Sequence, residues 1–432
     1  MIVTLPEGGV AMLLTVFCTI IGVAIFRRVD DESDFLVNIF LLALIARILF
    51  GTLLHVFELR DFFGGDAFTY DFFGNRLVEI WSGQSATNDW ISVMAARTNG
   101  AGWGMNYLTA GIYFIFGRNM LAAQFFCAVF GAATAPMIYI CSYKVFQNHR
   151  VSRISAALVA FFPAFIIWSS QLLKDGLIIF LLVLAITMVL KLQEKLDYPA
   201  VIVLVLSLFG IIALRFYIFY MVAIAVVGSF IIGTSGSVKS AVRGFIALAV
   251  IGVALTYLGV LQSAGTEFEK FGSLERIQSS RSGLSQTESG FGEDLDVSTT
   301  QGALVAIPIG FMYLMLAPFP WQIANVRQAI TLPEVLLWWA SFPFMISGLW
   351  FTIKNRLRNA ISILIFTLLL TIAYSIFQGN VGTAYRQRAQ IQVFLFIFIA
   401  VGWTLQKERR ENRAIIREDK RNQKQIKLFG KK

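Results

Sequence analysis

Residues 9–26 read GVAMLLTVFCTIIGVAIF, a stretch without a charged side chain. As a helix these residues would extend about 27 Å at 1.5 Å per residue. That length is close to the hydrocarbon core of a bilayer, about 30 Å. No basic segment precedes the stretch and no small-residue cleavage pattern follows it. It therefore predicts a retained membrane-spanning helix and not a signal peptide.

Similar apolar runs recur along nearly the whole chain of 432 residues. The composition agrees with them, since 57% of the residues are hydrophobic and only 14% are charged, with a mean hydropathy of +0.70. A soluble protein carries roughly 25% charged residues. The sequence thus predicts an all-α, polytopic membrane helix bundle with about ten spans over residues 1–405, followed by a tail at residues 406–432.

The distribution of positive charge predicts which side each segment occupies, because basic clusters mark the cytoplasmic side. The tail carries eleven basic and four acidic residues. The other clusters are Arg27–Arg28, His149–Arg150–Arg153 and Lys354–Arg356–Arg358. We expect a multi-pass protein of the cell (inner) membrane with its N-terminus outside and its C-terminus cytoplasmic. The tail is interpreted as an anchor near anionic membrane lipid, and no nucleic-acid partner is expected.

Several segments are expected outside the membrane. Residues 55–103 form a large first outside loop with amphipathic juxtamembrane helices. Residues 262–303 are rich in Ser and Gly, with seven acidic and three basic residues, and are expected to be a mobile polar loop. The apolar stretches at 107–116 and 304–317 are too short for a simple crossing and are expected to be re-entrant or interfacial.

The region 199–233 decides the side on which the later loops lie. It is apolar apart from Arg215, and the charge pattern requires a hairpin at that residue. Without the hairpin, the polar loop at 262–303 would lie in the cytoplasm.

The few histidines and cysteines exclude several kinds of enzyme. His55 and His149 are the only histidines and are expected on opposite sides of the membrane. A histidine-based metal site and a Ser-His-Asp triad are therefore not expected. Cys18, Cys127 and Cys141 lie within apolar segments, which favours buried thiols over a disulfide.

The first outside loop contains a candidate catalytic carboxylate. Asp66 and Tyr70 are four residues apart on a predicted helix and therefore share one face. Asp66 could be the N-cap of this helix, a catalytic base, or both. A divalent metal is an open alternative, because Asp61, Asp66 and Asp71 could together hold one.

Further charged residues are expected at the same membrane face, where ionisable groups are candidates for function. Lys174 and Asp175 follow Trp168 at the junction of two spans, and a local ion pair or helix cap is the alternative interpretation. Arg215 lies between two apolar stretches and could simply extend to the interface. The last cluster is a glycine-bearing loop with Tyr385, Arg386 and Arg388.

A carboxylate and several cations at one membrane face suit chemistry on a lipid-linked phosphate. The carboxylate can deprotonate an acceptor hydroxyl. Guanidinium groups bind phosphate oxygens in pairs and stabilise the charge of the leaving group. The predicted catalytic residues are Asp66 and Asp175. The predicted substrate-binding residues are Tyr70, Lys174, Arg215, Tyr385, Arg386 and Arg388.

The chain resembles the GT-C superfamily, and within it the bacterial, envelope-polysaccharide branch of dolichyl-phosphate-mannose mannosyltransferase-like proteins. The stretches that carry the resemblance are 65–70 (GDAFTY), 113–118 (YFIFGR), Tyr143-Lys144, Pro163, Trp168-Ser169 and Lys174-Asp175. The resemblance covers about residues 35–220. It implies inverting transfer from a polyprenyl-phosphate-linked sugar to a glycan or lipid acceptor.

The same resemblance implies a role for each candidate residue. Asp66 would be the catalytic base, with Tyr70 as its neighbour. The phosphate or its lipid carrier would be held by Lys174, Arg215, Arg386 and Arg388. Asp175 would orient Lys174 or contact the acceptor sugar.

Three other functions are compatible with the sequence. An O-antigen or exopolysaccharide polymerase or ligase is favoured by Arg276 and Arg281 in the loop at 262–303. A lipid-linked glycan transporter or flippase would instead place charges near the midplane and often shows repeated halves. A scaffold subunit of a polysaccharide assembly complex is the third.

Overall fold

The computed structural model describes residues 2, 7–29, 32–63, 65–85, 88–98, 102–232 and 238–429; the side chains of 238–240, 271 and 420–429 are excepted. The last three residues of the predicted tail lie outside these ranges. Within them the fold is all-helical, and the only β-type pairing is an isolated bridge between Gly290 and Asn380.

The helices follow one another with short connections. In chain order they are α1 Gly8–Phe26, α2 Ser33–Val56, α3 Arg60–Phe63, α4 Asp66–Trp81, α5 Trp90–Ala96, α6 Trp103–Phe116, α7 Met120–Phe146, α8 His149–Phe161, α9 Pro163–Ser169, α10 Lys174–Glu194, α11 Tyr198–Ile232, α12 Val238–Tyr257, α13 Val260–Phe271, α14 Leu274–Ser285, α15 Thr300–Leu316, α16 Val326–Ala340, α17 Phe342–Asn355, α18 Leu357–Phe377 and α19 Val381–Phe429.

Many of these helices are long and apolar enough to cross a membrane. In the described part of the chain, seven single helices qualify by length and composition, and three bent pairs raise the number to as many as ten. The bent pairs are α8 with α9, α12 with α13, and α16 with α17. The predicted polytopic helical membrane bundle is therefore confirmed.

By length α11 counts as one candidate span, but its contacts divide it at Arg215. The backbone there is non-helical, with φ −158° and ψ 86°. Arg215 contacts Asp175 at the start of α10, whereas Ser229 accepts hydrogen bonds from Gln193 near the end of α10, at 2.8 Å. Because α11 also begins just after α10 ends, its two halves run in opposite directions. This is the reversal that the sequence predicts at Arg215.

The segment 262–303, predicted to be a mobile polar loop, contains helices. Helices α13 and α14 occupy its first half. Arg281 is buried and donates to the carbonyl oxygens of Ile376, at 3.2 Å, and Gln378. The backbone of Phe291 donates to Gly379 at 2.7 Å. These hydrogen bonds attach the segment to the turn between α18 and α19. The guanidinium group of Arg281 needs such acceptors because it is buried.

Helix α15 begins and ends near that same turn. Ala303, in its first turn, shares a hydrophobic cluster with Ile376 at the end of α18. The carbonyl oxygens of Met315 and Ala317, at its other end, accept hydrogen bonds from Arg388 of α19. The helix has 17 residues and is not among the candidate spans, and the prediction for residues 304–317 was a re-entrant or interfacial segment.

A buried arginine supports the break between α8 and α9, which are bent by 53°. Pro163 begins α9 and cannot donate a backbone hydrogen bond. Arg47 of α2 donates to the carbonyl oxygens of Ala160, at 3.1 Å, and Val159, at 3.3 Å. It also donates to the Ser169 hydroxyl at 2.8 Å. These bonds fix α9, which carries the neighbouring residue Trp168 towards the cavity described next.

Candidate active site

One cavity of about 470 Å³ brings together parts of the chain that are far apart in sequence. Five predicted site residues line it: Asp66, Lys174, Arg215, Tyr385 and Arg386. They come from the starts of α4, α10 and α19 and from the interruption of α11. Three predicted residues do not line it, namely Tyr70, Asp175 and Arg388.

Arg386 joins the two carboxylates of the site. Its Nη1 lies 2.8 Å from Asp66, and its Nε donates to Asp175 at 2.6 Å. Its guanidinium also stacks over Trp168, 5.3 Å from the ring centroid. The Asp66 side chain remains 54% exposed despite the ion pair. It is therefore held in place while still accessible from the cavity.

Asp66 is not the N-cap of α4, which was one of the two interpretations of its sequence position. Gly65 occupies the cap position and Asp66 is the first helical residue. A carboxylate in the first turn is still favourable, because it faces the positive end of the helix dipole.

Asp175, one of the two predicted catalytic residues, is buried between two arginines and does not line the cavity. Its side chain is 1% exposed, and both of its oxygens face arginines, Arg386 on one side and Arg215 on the other, at 3.4 Å. In this position the carboxylate holds the two guanidinium groups.

Arg215 lines the cavity although it is largely buried, with 5% of its surface exposed. Its Nη2 lies 3.4 Å from Asp175, and its Nη1 has no hydrogen-bond partner among the described residues. Buried guanidinium groups are normally paired with acceptors.

Tyr70 and Lys174 meet at Gly102, the residue before α6. A β-carbon placed at Gly102 would lie 2.9 Å from the Lys174 Nζ and 3.3 Å from the Tyr70 hydroxyl. Gly102 also has φ +85°, which side chains other than glycine rarely adopt. Burial, followed by the negative charge of Asp66, raises the pKa of Tyr70 above its usual value. Its hydroxyl therefore stays protonated and available as a donor.

The first turns of α19 carry residues that face the cavity and residues that face the bundle. Tyr385 lines the cavity and its hydroxyl donates to Glu334 at 2.7 Å. Arg388 is 1% exposed and donates to the carbonyl oxygens of Met315 and Ala317. Arg388, predicted to bind the substrate, thus does not line the cavity. It holds the end of α15 instead.

Several cavity residues are missed by the sequence reasoning, among them Arg327 and Gln328. Arg327 of α16 lies over the ring of Phe62, at 5.5 Å, and donates to the Asp61 carbonyl oxygen at 3.4 Å. An arginine expected outside the membrane was a signal that could have identified it. Gln328, its neighbour, lines the same cavity. A single glutamine in a polar stretch carries no such signal.

The described residues contain no group of three or more His, Cys, Asp or Glu side chains placed to hold a metal ion. Asp71, one of three carboxylates considered for such a site, instead accepts from Tyr113 at 2.6 Å and pairs with Arg118 at 2.5 Å.

The cavity has an excess of positive charge. Four cationic side chains line it, those of Lys174, Arg215, Arg327 and Arg386, and the nearby carboxylates are Asp66 and Asp175. Such a balance favours an anion with more than one charge-bearing oxygen.

The fold and the cavity define a polytopic helical membrane protein whose charged groups meet at one end of the bundle. Residues 92–263 match the family model for dolichyl-phosphate-mannose-protein mannosyltransferases. The match supports the predicted resemblance to mannosyltransferases, and with it a membrane glycosyltransferase that uses a polyprenyl-phosphate-linked donor. A search of curated proteins found no match.

The matched region contains only part of the site. Lys174, Asp175 and Arg215 fall within residues 92–263, whereas Asp66 and Arg386 lie outside them. The cavity is therefore completed by elements that the family match does not cover.

Proposed function

We propose that this protein transfers a sugar from a polyprenyl-phosphate-linked donor to a glycan or lipid acceptor at the non-cytoplasmic face, in envelope polysaccharide biosynthesis. The observation that carries the proposal is the Asp66–Arg386–Asp175 network beside a cavity lined by cations. It combines an accessible carboxylate with groups suited to a phosphate.

In the proposed reaction the acceptor hydroxyl attacks the anomeric carbon of the donor sugar. A new glycosidic C–O bond forms while the C–O bond to the phosphate breaks. Asp66 accepts the hydroxyl proton, and the polyprenyl phosphate departs with the bonding electrons. Attack from the face opposite the phosphate inverts the anomeric configuration.

The cations act on the departing phosphate. Arg386 and Arg215 are oriented by the buried Asp175, and guanidinium groups fixed in advance stabilise developing charge without reorganisation. Lys174 adds a third positive group, beside Tyr70. Asp175 therefore serves as a positioning residue in this mechanism.

The charge distribution supports the proposed location in the inner membrane. The basic residues Lys354, Arg356 and Arg358 lie at the junction of α17 and α18, the far end of α18 from the cavity. Basic residues favour the cytoplasmic side. This distribution supports a cavity at the non-cytoplasmic face and a C-terminus in the cytoplasm.

The alternative polymerase or ligase function depended on the arginines of the segment 262–303. Arg281 is occupied with backbone carbonyl oxygens and does not line the cavity. No feature of the described residues favours this alternative over the transferase.

The proposal is tested by transfer of radiolabelled sugar from native polyprenyl-linked donors to endogenous acceptors in membranes. Asp66→Asn should reduce transfer at least about 100-fold, the scale of general-base catalysis, at unchanged expression. Asp294→Asn is the matched control, because Asp294 is exposed and does not line the cavity. Equal transfer by wild type and Asp66→Asn would remove Asp66 from the mechanism and favour the polymerase.

A further inference from the structure

The residues that line the cavity fall into two chemical groups. The charged residues described above are called the charged wall. The neutral wall is the group of neutral polar residues Ser289, Asn325, Gln328, Thr331, Asn380 and Thr383. All six lie outside the region matched by the mannosyltransferase family model.

Gln328 lines the cavity and carries a buried donor that has no hydrogen-bond partner among the described residues. Its side chain is 6% exposed, and its Oε1 accepts a hydrogen bond from the backbone N–H of Ala324 at 2.8 Å. Because a backbone N–H can only donate, this bond fixes which end of the amide is the oxygen. The Nε2 group therefore has a defined direction, and it has no hydrogen-bond partner among the described residues.

The surroundings of Gln328 hold it in place. Asn325 caps α16 by accepting from the Gln328 backbone N–H at 3.1 Å. The hydroxyl of Thr331 donates to the Gln328 carbonyl oxygen at 2.8 Å. Buried amide donors that are rigid and unpaired are uncommon in proteins, and ligands are among the partners that satisfy them.

Hydrogen bonds also hold Asn380, another residue of the neutral wall, in place. Asn380 caps α19 by accepting from the Thr383 backbone N–H at 2.9 Å. Its amide nitrogen donates to Thr287, at 2.6 Å, and Ser289, at 2.9 Å. The wall thus consists of amides and hydroxyls that are ordered before any ligand binds.

Neutral amides and hydroxyls match the hydroxyl groups of a sugar. A phosphate would instead bind the charged wall, where the guanidinium groups lie. An apolar acyl chain would leave the Gln328 donor unpaired, which is unfavourable. The donor phosphate and the acceptor would therefore contact different groups of residues in the one cavity that Asp66 also lines.

We propose that the neutral wall is the acceptor subsite, that the acceptor is a glycan, and that the Gln328 Nε2 donates a hydrogen bond to one of its hydroxyl oxygens. This inference rests on the proposed transferase function. It narrows the acceptor from a glycan or lipid to a carbohydrate.

The test uses purified full-length protein, a synthetic polyprenyl-phosphate sugar as donor and a panel of octyl glycosides as acceptor probes. Transfer is measured against acceptor concentration, and slow donor hydrolysis is measured without acceptor. Gln328→Leu should raise the KM for the octyl glycoside about two- to twelvefold, the range for one hydrogen bond to a neutral group, and should raise it more than the KM for the donor. Gln322→Ala is the matched control, because Gln322 is exposed and does not line the cavity.

The outcomes separate this inference from the proposed function. If wild type neither hydrolyses the donor nor transfers its sugar, the proposed function fails. If wild type transfers sugar but Gln328→Leu changes only the KM of the donor, the glycan subsite is wrong and the transferase stands. Use of a serine peptide in place of every octyl glycoside would also overturn the glycan acceptor.

A second measurement decides the case in which Gln328→Leu fails to fold. Thr331→Cys places a thiol on the neutral wall, in a background where Cys18 is replaced by Ser. Octyl glycoside should slow its alkylation by a maleimide at least about threefold, whereas inorganic phosphate should not. Protection by phosphate alone would contradict the assignment of the two walls.

Discussion

Arg386 is the residue on which the candidate site depends most, because it pairs with both Asp66 and Asp175. A lysine at this position would retain the charge but lose the planar fork that binds two carboxylates at once. One carboxylate would then move away from its place in the site. Arginine and lysine at position 386 would therefore differ in geometry and not in charge.

We expect Arg386→Lys to lower kcat about 100-fold, since losing one preoriented electrostatic contact costs this order of magnitude. Arg386→Ala should in addition destabilise the fold by about 3–5 kcal/mol, because it removes one partner of the buried Asp175. Sugar-transfer kinetics and thermal unfolding in detergent would measure the two effects. Equal kcat for Arg386→Lys and wild type would contradict the first.

Ionisation of the Tyr70 hydroxyl should not contribute to the pH dependence of transfer. Burial disfavours the charged tyrosinate, so its pKa lies above the ordinary value of 10.0 and the hydroxyl stays protonated at lower pH. Tyr70→Phe should therefore leave the alkaline limb of the pH–rate profile below that value in place. A limb that disappears in the variant would show that Tyr70 titrates during the reaction.

The sequence predicts which charged residues belong to the site better than it predicts the role of each one. Asp66, Lys174, Arg215, Tyr385 and Arg386 line the cavity as expected. The direction in which a side chain points depends on contacts that are distant in sequence. Arg388, for example, is bound by carbonyl oxygens more than seventy residues away.

Among the helices, the pair α8 and α9 shows how a polar side chain can stabilise a break inside the bundle. The carbonyl oxygens of Val159 and Ala160 accept from Arg47. The position of α9, and with it the contact between Trp168 and Arg386, therefore depends on a residue of α2.

Arg47→Leu should destabilise the protein by about 1–3 kcal/mol for each carbonyl oxygen left unpaired. Thermal unfolding in detergent would measure the effect, and transfer activity should be lost at a lower temperature than in wild type. Arg97→Leu is a suitable control because Arg97 is exposed. An unfolding temperature equal to that of the control would show that Arg47 does not support the break.

Hydropathy predicts which segments are helical spans but not how short segments are attached. The reversal at Arg215 follows from the charge pattern, because a lone arginine interrupts an apolar run there. Helices α13 and α14 are not predicted, since the composition of residues 262–303 favours a loop. Their attachment depends on Arg281 and on the backbone of the turn at 378–381, far along the chain.

The candidate site lies at one end of the helix bundle, and basic residues lie at the other end. If the proposed orientation is correct, the two ends differ in their access to a membrane-impermeant maleimide. A cysteine replacing Asp294 should react in intact cells, because its segment is bonded to the turn beside the cavity. A cysteine replacing Arg358 should react only after the membrane is permeabilised. The opposite pattern would invert the orientation.

The reversal of α11 also sets the depth of Arg215. The first half of α11, from Tyr198 to the interruption, rises about 25 Å at 1.5 Å per residue. This is slightly less than the hydrocarbon thickness of an average bilayer, about 30 Å. A thicker bilayer would therefore place Arg215 and the other cations of the cavity below the level of the headgroups. Hydrophobic mismatch would then become a determinant of turnover, acting through lipid chain length and not through any residue of the cavity.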